Sequence, residues 1–289
     1  MPKYYIIYQT LNLSNNQLTS DYLNILSRSI AVWDFNQDNI NRYSSTIRNY
    51  HYFPQDYKYA DPVVLPCTLS TSMLEAYKKL LIYSNQYDTD ISSHLPTLFC
   101  YTVSQDPQVI VEAGVRGGES TRPFEMALKF LNATLIGIDI EQSFGSAYSS
   151  IKNGVFVAMN DLDFAKYYKN SEFKDKKVDI VFIDTSHLYK HTLAEIKLFV
   201  PLLSDDGFIS FHDSNVTPIN GKGYIRLNGT MGGADGNTRG VTQAIKEYFS
   251  LEFDEHAYFN SIFNRGGVKW HIIHYPFCNG LTIIKKIKE

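Results

Sequence analysis

The sequence predicts a doubly wound α/β fold: a mostly parallel seven-stranded sheet with a C-terminal antiparallel hairpin, behind a partly helical N-terminal cap. Three observations predict it. Short apolar runs recur at residues 109–112, 135–139, 155–158, 178–183 and 208–211. They are continuous rather than alternating, as expected of strands covered on both faces. Helix-length amphipathic stretches separate them, most clearly at 122–131 and 193–203, and strand–helix alternation builds parallel sheets. Finally, residues 270–274 and 281–285 flank a Pro276–Gly280 turn, which reads as a hairpin at the sheet edge.

Before residue 95 the pattern is irregular and dense in Tyr and Asn. This suggests two parts: an N-terminal segment, 1–95, that either caps a pocket or packs a homo-oligomer, and a main domain, 96–289. Two helices are expected in the first part. One covers 19–32, with Tyr22, Ile25, Leu26 and Ile30 on one face. The other starts at Ser72, where Ser72 and Glu75 make a capping-box pair, and continues through Leu74, Tyr77 and Leu81. Residues 43–66 read as loop, with a turn at Asp61–Pro62.

Composition excludes several classes of function. The chain has 289 residues, 44% hydrophobic and 20% charged, enough to bury a core without staples. Lys and Arg number 27 against 30 Asp and Glu, a net charge of -3, so no global basic field would hold nucleic acid or an anionic membrane. No apolar run approaches the roughly 20 residues that span a bilayer. The stretch 1–11 is interrupted by Gln9 and does not read as a signal segment. Cys67, Cys100 and Cys278 lie far apart with no CxxC pair. That leaves neither a zinc knuckle nor a disulfide framework to read, and suggests a reducing, cytoplasmic setting.

The most informative stretch is 109–121, VIVEAGVRGGEST. A strand ends at Glu112, a turn carries Gly114, Gly117 and Gly118, and Ser120 and Thr121 cap a helix with Pro123 in its first turn. Glycines let a ligand approach the backbone, and a helix N-terminus favours negative charge. The dinucleotide fingerprint needs glycine two places after the first, where this chain has Arg116, which argues against a nicotinamide-dependent oxidoreductase. A non-catalytic cofactor-binding domain in a biosynthetic complex is the other alternative.

The spacing Glu112-x-Gly114-x-x-x-Gly118-x-Ser120 resembles motif I of class I S-adenosylmethionine-dependent methyltransferases, in the version found in small-molecule O-methyltransferases. The resemblance implies a Rossmann-like sheet and S-adenosylmethionine as cofactor. It implies that Glu112 meets the methionine ammonium, directly or through water, and that Ser120 meets its carboxylate. Asp139 ends the second strand at the distance where an acid accepts the ribose hydroxyls, with Glu141 a competitor two residues on. By the same resemblance Asp161 receives the adenine amino group; it could equally cap the helix that follows.

A second constellation lies at the ends of the fourth and fifth strands: Asp184 and His187, then His212 and Asp213. Ligands of open α/β sheets gather at such ends. Converging carboxylates repel unless a cation or proton joins them, so a divalent metal held by Asp184 and Asp213, with His212 as third ligand, fits. His187 suits a general base, since imidazole titrates near neutrality; which of His187 and His212 takes that role stays open. The plainer alternatives are that Asp213 caps the turn at Ser214–Asn215 and that His187 caps the next helix. Together with residues 90–98, this part resembles the metal-dependent O-methyltransferases of natural-product sugars, the macrocin type, over roughly 90–289. Relatives of that type often carry two acids after the fifth strand; here the first is His212. The resemblance implies Mg²⁺, with Mn²⁺ or Fe²⁺ suited to the imidazole, and a small hydroxylated acceptor. Seven of the 17 glycines fall within 221–240 and read as a mobile lid or a plain loop over the acceptor.

Overall fold

Val109, Ile110 and Val111 lie in the middle of the main sheet, and their side chains alternate between its two faces. Ile110 packs with the core on one face, while Val109 and Val111 join the core on the other. This double cover is why the strands read as unbroken apolar runs. The structure, a computed structural model, describes residues 69–87, 89–215, 240–276 and 278–288, together with three short strands seen as backbone, β1 (Ile6–Gln9), β2 (Ala31–Asp34) and β3 (Tyr50–Tyr52). Those three pair in parallel as a separate sheet in the order β1-β2-β3.

The remaining elements are α1 (Thr71–Gln86), α2 (Leu95–Gln105), β4 (Val109–Ala113), α3 (Thr121–Leu128), β5 (Thr134–Asp139), β6 (Gly154–Ala158), α4 (Asp161–Tyr167), β7 (Val178–Ile183), α5 (Tyr189–Phe199), β8 (Leu203–His212), α6 (Gly240–Phe249), β9 (Phe259–Arg265), β10 (Val268–Tyr275) and β11 (Leu281–Lys286). The main sheet has 8 strands in the order β6-β5-β4-β7-β8-β11-β10-β9. From β6 to β8 all pairs are parallel, and from β8 to β9 all are antiparallel. The chain winds outward from β4 to β6, then returns to the other side of β4 as β7. The junction of β4 and β7 is therefore the topological switch point, where ligands bind in such sheets.

The expected count of seven strands is corrected to eight. The added strand is β9, an edge strand whose residues alternate between half-buried and exposed. It joins β10 through Gly266–Gly267, with φ of +59° and +75°, and Gly-Gly between two strands is itself a hairpin signal.

The sequence places a boundary at residue 95, and the described residues on its two sides share a core. Tyr77, Leu80 and Leu81 of α1 are buried in the same core as Leu98 and Phe99 of α2 and Phe182 of β7. Residues 69–95 thus belong to the sheet domain, and the change in composition does not mark a packing boundary. Helix α1 begins two residues before the expected Ser72: Ser70 accepts from the Met73 N–H at 3.2 Å, and Glu75 pairs with Lys78 instead. The helix expected over 19–32 lies outside the described residues except at its end, where Ala31 and Val32 belong to β2. The loop expected over 43–66 contains β3; its Asp61–Pro62 turn, and the glycine-rich stretch up to residue 239, lie outside the described residues. Among the described residues no helix is long and apolar enough to cross a membrane.

Candidate functional site

The turn after β4 and the loop after β7 are fastened to each other. Asp184 N–H donates to the Ala113 carbonyl at 2.9 Å. A Cβ at Gly114, where φ is +88°, would stand 2.1 Å from the Asp184 carbonyl oxygen, so only glycine fits. Gly118 at +80° and Arg116 at +48° complete the turn.

Two cavities open on either side. The larger, about 380 Å³, is lined by Asp139, Glu141, Asp161 and His191 among others. The smaller, about 240 Å³, is lined by Asp90, Glu119, Ser120 and His187 among others. Gly114, Arg116, Asp184 and Thr185 line both.

Glu112 lines neither cavity. It is fully buried, and three hydroxyls donate to its carboxylate: Ser120 at 2.5 Å, Thr121 at 2.8 Å, and Tyr148. Burial pushes its pKa up to about 7 against the pull of those hydroxyls. Glu112 is placed as the buried anchor of the turn, away from the cavity walls. The Ser120 hydroxyl donates to Glu112, and α3 starts without a side-chain cap because Ser120 already has helical φ and ψ of -68° and -26°.

Asp139 does face the larger cavity, but its carboxylate also ties down the turn. It accepts from Val115 N–H at 2.9 Å, Arg116 N–H at 3.1 Å and Glu141 N–H at 3.1 Å. Asp161 lines the same cavity. The cap of α4 is Asn160, which accepts from Leu162 N–H at 3.0 Å, so capping is not the role of Asp161. Its two oxygens instead lie 3.1 Å from Nε2 of His191.

The second constellation comes together as the sequence suggested. His187 Nε2 lies 2.9 Å from Asp184 Oδ1, and its Nδ1 lies 2.9 Å from Asp213 Oδ2. His212 Nδ1 is 3.3 Å from Asp184 Oδ1 and 3.8 Å from Asp213 Oδ1. His187 and Asp213 hold left-handed φ values of +58° and +54°, a strain of order 1 kcal/mol or more that surrounding structure must impose. Gly240, at the start of α6, fits under His187; a Cβ there would stand 2.4 Å from its carbonyl oxygen.

The charges are balanced within this group. Burial lowers the pKa of His212, but the carboxylates of Asp213 and Asp184 outweigh it and hold it at about 10. The same contest places His187 well above its ordinary value. Burial raises Asp184 and Asp213, but the two imidazoles outweigh it and hold both below the usual carboxylate range. With a carboxylate at each ring nitrogen, the protonated form of His187 is favoured, and it serves as a base only from its neutral form.

The same residues fit a divalent metal. His212 Nε2 faces the carbonyl oxygens of Asp90 at 2.9 Å and Cys278 at 3.1 Å. Both are acceptors, so Nε2 carries a proton, and once Nδ1 gives up its own the ring would present its lone pair there, an arrangement typical of metal-binding histidines. That Nδ1 and Asp213 Oδ1 are buried without a hydrogen-bond partner. Together with an Asp184 oxygen, they lie within 4.8 Å of one another.

Sequence reasoning missed Tyr148, His191 and Glu195. The last two offered a signal, an i,i+4 pair on one helix face. Their partner Asp161 lies on another element, and no local pattern joins them.

Residues 111–214 match the sequence model of a family described as a methyltransferase domain. No curated protein matches the chain. Among solved structures, an O-methyltransferase from Bacillus cereus in complex with SAH is similar at 14% identity and TM-score 0.45, covering 78% of this chain and 94% of that one. An SAH-bound methyltransferase from Podospora anserina is similar at 14% identity and TM-score 0.45, covering 88% and 97%. The O-methyltransferase TomG from Streptomyces achromogenes, in complex with SAM, is similar at 12% identity and TM-score 0.43, covering 78% and 93%. Likenesses this distant do not decide an activity.

Proposed function

We propose that this protein transfers the methyl group of S-adenosylmethionine to a hydroxyl oxygen of a small molecule, a sugar or another natural-product intermediate, with the help of a divalent cation. The observation that carries this reading is the meeting, at the switch point of the sheet, of the glycine turn at 114–118 with the donors of Asp184, His212 and Asp213. The methyltransferase-domain match spans both features.

The larger cavity takes the adenosine end. Asp161 presents acceptors for the adenine amino group, and Asp139 and Glu141 stand where ribose hydroxyls need an acid. The smaller cavity takes the methionine end and the acceptor. Asp184, His212 and Asp213 would hold the cation, with Mg²⁺, Mn²⁺ and Fe²⁺ suited to the mixed donor set. When bound, such an ion supplies Lewis acidity that makes an acceptor hydroxyl more acidic. The chain's own part is positioning: holding donor and acceptor in line contributes roughly 7–11 kcal/mol in well-oriented systems. His187 can take a proton from the acceptor only after losing one of its own, which requires that Asp184 and Asp213 be neutralised by something other than His187.

Calorimetric titration with S-adenosylmethionine tests the cofactor. Micromolar binding is expected, and no binding, or binding of a pyrophosphate dinucleotide instead, overturns the reading. Transfer of labelled methyl to hydroxylated acceptors, stopped by EDTA and restored by Mg²⁺ or Mn²⁺, tests the rest. A rate indifferent to EDTA removes the cation from it.

A further inference from the structure

We propose that Asp161, His191 and Glu195 form a second divalent-cation site, distinct from Asp184, His212 and Asp213 and open to the larger cavity. The donors come from two elements: Asp161 from the first residue of α4, His191 and Glu195 from one face of α5. One oxygen or nitrogen from each lies within 4.8 Å of the others. His191 Nε2 stands 3.1 Å from Asp161 Oδ1 and 3.6 Å from Glu195 Oε1. Two donors each about 2.0–2.2 Å from one ion, at the angles of tetrahedral or octahedral coordination, stand roughly 2.9–3.6 Å apart, so these donors are already close to coordinating separations.

The burial of Glu195 is the independent observation. Its side chain is fully enclosed, its Oε2 receives no hydrogen bond, and the carboxyl of Asp161 lies close enough to share a proton or a cation with it. A carboxylate enclosed in this way needs a cation or a proton. Oε1 accepts from the Thr185 hydroxyl at 2.6 Å, which orients the carboxylate as an outer partner orients a metal ligand. Burial and the nearby Asp161 push Glu195 up to about 8, as expected for an enclosed carboxylate short of positive charge. One imidazole faces two carboxylates here, whereas the Asp184 group has two imidazoles for two carboxylates. One imidazole and two carboxylates suit Zn²⁺ or Mn²⁺. Asp161 and His191 line the cavity, so a further coordination position faces it and can be completed by water or by a nitrogen or oxygen of a bound ligand.

The site shares Asp161 with the adenine contact proposed above, so its test counts ions on the chain without cofactor rather than turnover. The full-length chain, stripped with a chelator and dialysed, is titrated calorimetrically with Zn²⁺ alone, then with Mn²⁺ alone. Two ions per chain are expected. Asp213→Asn should retain one, and adding Glu195→Gln or His191→Ala to that variant should remove it or weaken it about tenfold or more. Circular dichroism checks that each variant folds. Glu195→Gln keeps the shape of a buried side chain and His191 is partly open, so one of the two gives the answer even if the other unfolds. If Asp213→Asn binds no ion, or if neither added substitution changes its count and affinity, the trio holds a proton instead and the proposal is overturned.

Discussion

The two ends of the cleft use the same residue types in different proportions. Beside the smaller cavity, Asp184 and Asp213 face His187 and His212, and each carboxylate has an imidazole neighbour. Beside the larger cavity, Asp161 and Glu195 share the single imidazole of His191. Consecutive residues serve the two groups: Asp184 points into the first, while the Thr185 hydroxyl holds Glu195 of the second. The difference teaches that a His–carboxylate cluster should be read by its charge balance. A balanced cluster is stable without a ligand and becomes a metal site when an imidazole gives up its proton; an unbalanced one needs a cation or a proton from the start.

Breaking the balanced end should give the largest effect. Asp184→Ala leaves two buried imidazoles to share Asp213, so a stability loss of about 3–5 kcal/mol is expected, with turnover down on the order of 10²-fold or more. Denaturant melts and steady-state rates measure both, and a variant as stable as the parent shows the balance to be unimportant. His187→Ala sharpens the same point from the other side. It leaves the carboxylates short of charge, so added Mg²⁺ or Mn²⁺ should raise the thermal midpoint by more than in the parent chain. Equal shifts would mean that His187 and the cation do not answer the same charge.

The larger cavity should respond more mildly. Asp139→Ala removes the acceptor of three backbone N–H groups, a loss of about 1–3 kcal/mol, and should weaken S-adenosylmethionine binding about tenfold. Glu141→Ala should do less, and calorimetry showing the reverse order would make Glu141 the ribose acid. The smallest effect belongs to Glu112. Its pKa in the folded chain is raised from 4.5 to about 7, so the fold favours the protonated form. Its contribution to stability is therefore full below pH 4.5, declines as pH rises to about 7 and is constant above. Thermal midpoints of Glu112→Gln should fall less over that window than those of the parent chain; parallel profiles would show that Glu112 does not titrate there.

The parallel strands were legible because burial on both faces leaves continuous apolar runs, and the ends of β4, β5, β7 and β8 then located Glu112, Asp139, Asp184 and His212. What the sequence hid was direction and partnership. The glutamate of the turn motif points inward because Tyr148, 36 residues away, offers it a hydroxyl. The His191–Asp161 contact is likewise tertiary. The edge strand β9 was obscured by its polar alternate residues, although Gly266–Gly267 announced its turn.

The contact between Gly114 and the Asp184 carbonyl has a practical result for anyone reshaping the protein. A methyl group added at 114 would press on the loop that carries Asp184 and Thr185, so a single substitution would disturb both ends of the cleft together and report on neither alone. Changes to the cavity lining should therefore begin at exposed side chains such as Arg116, with replacements limited to residues that accept its left-handed φ of +48°.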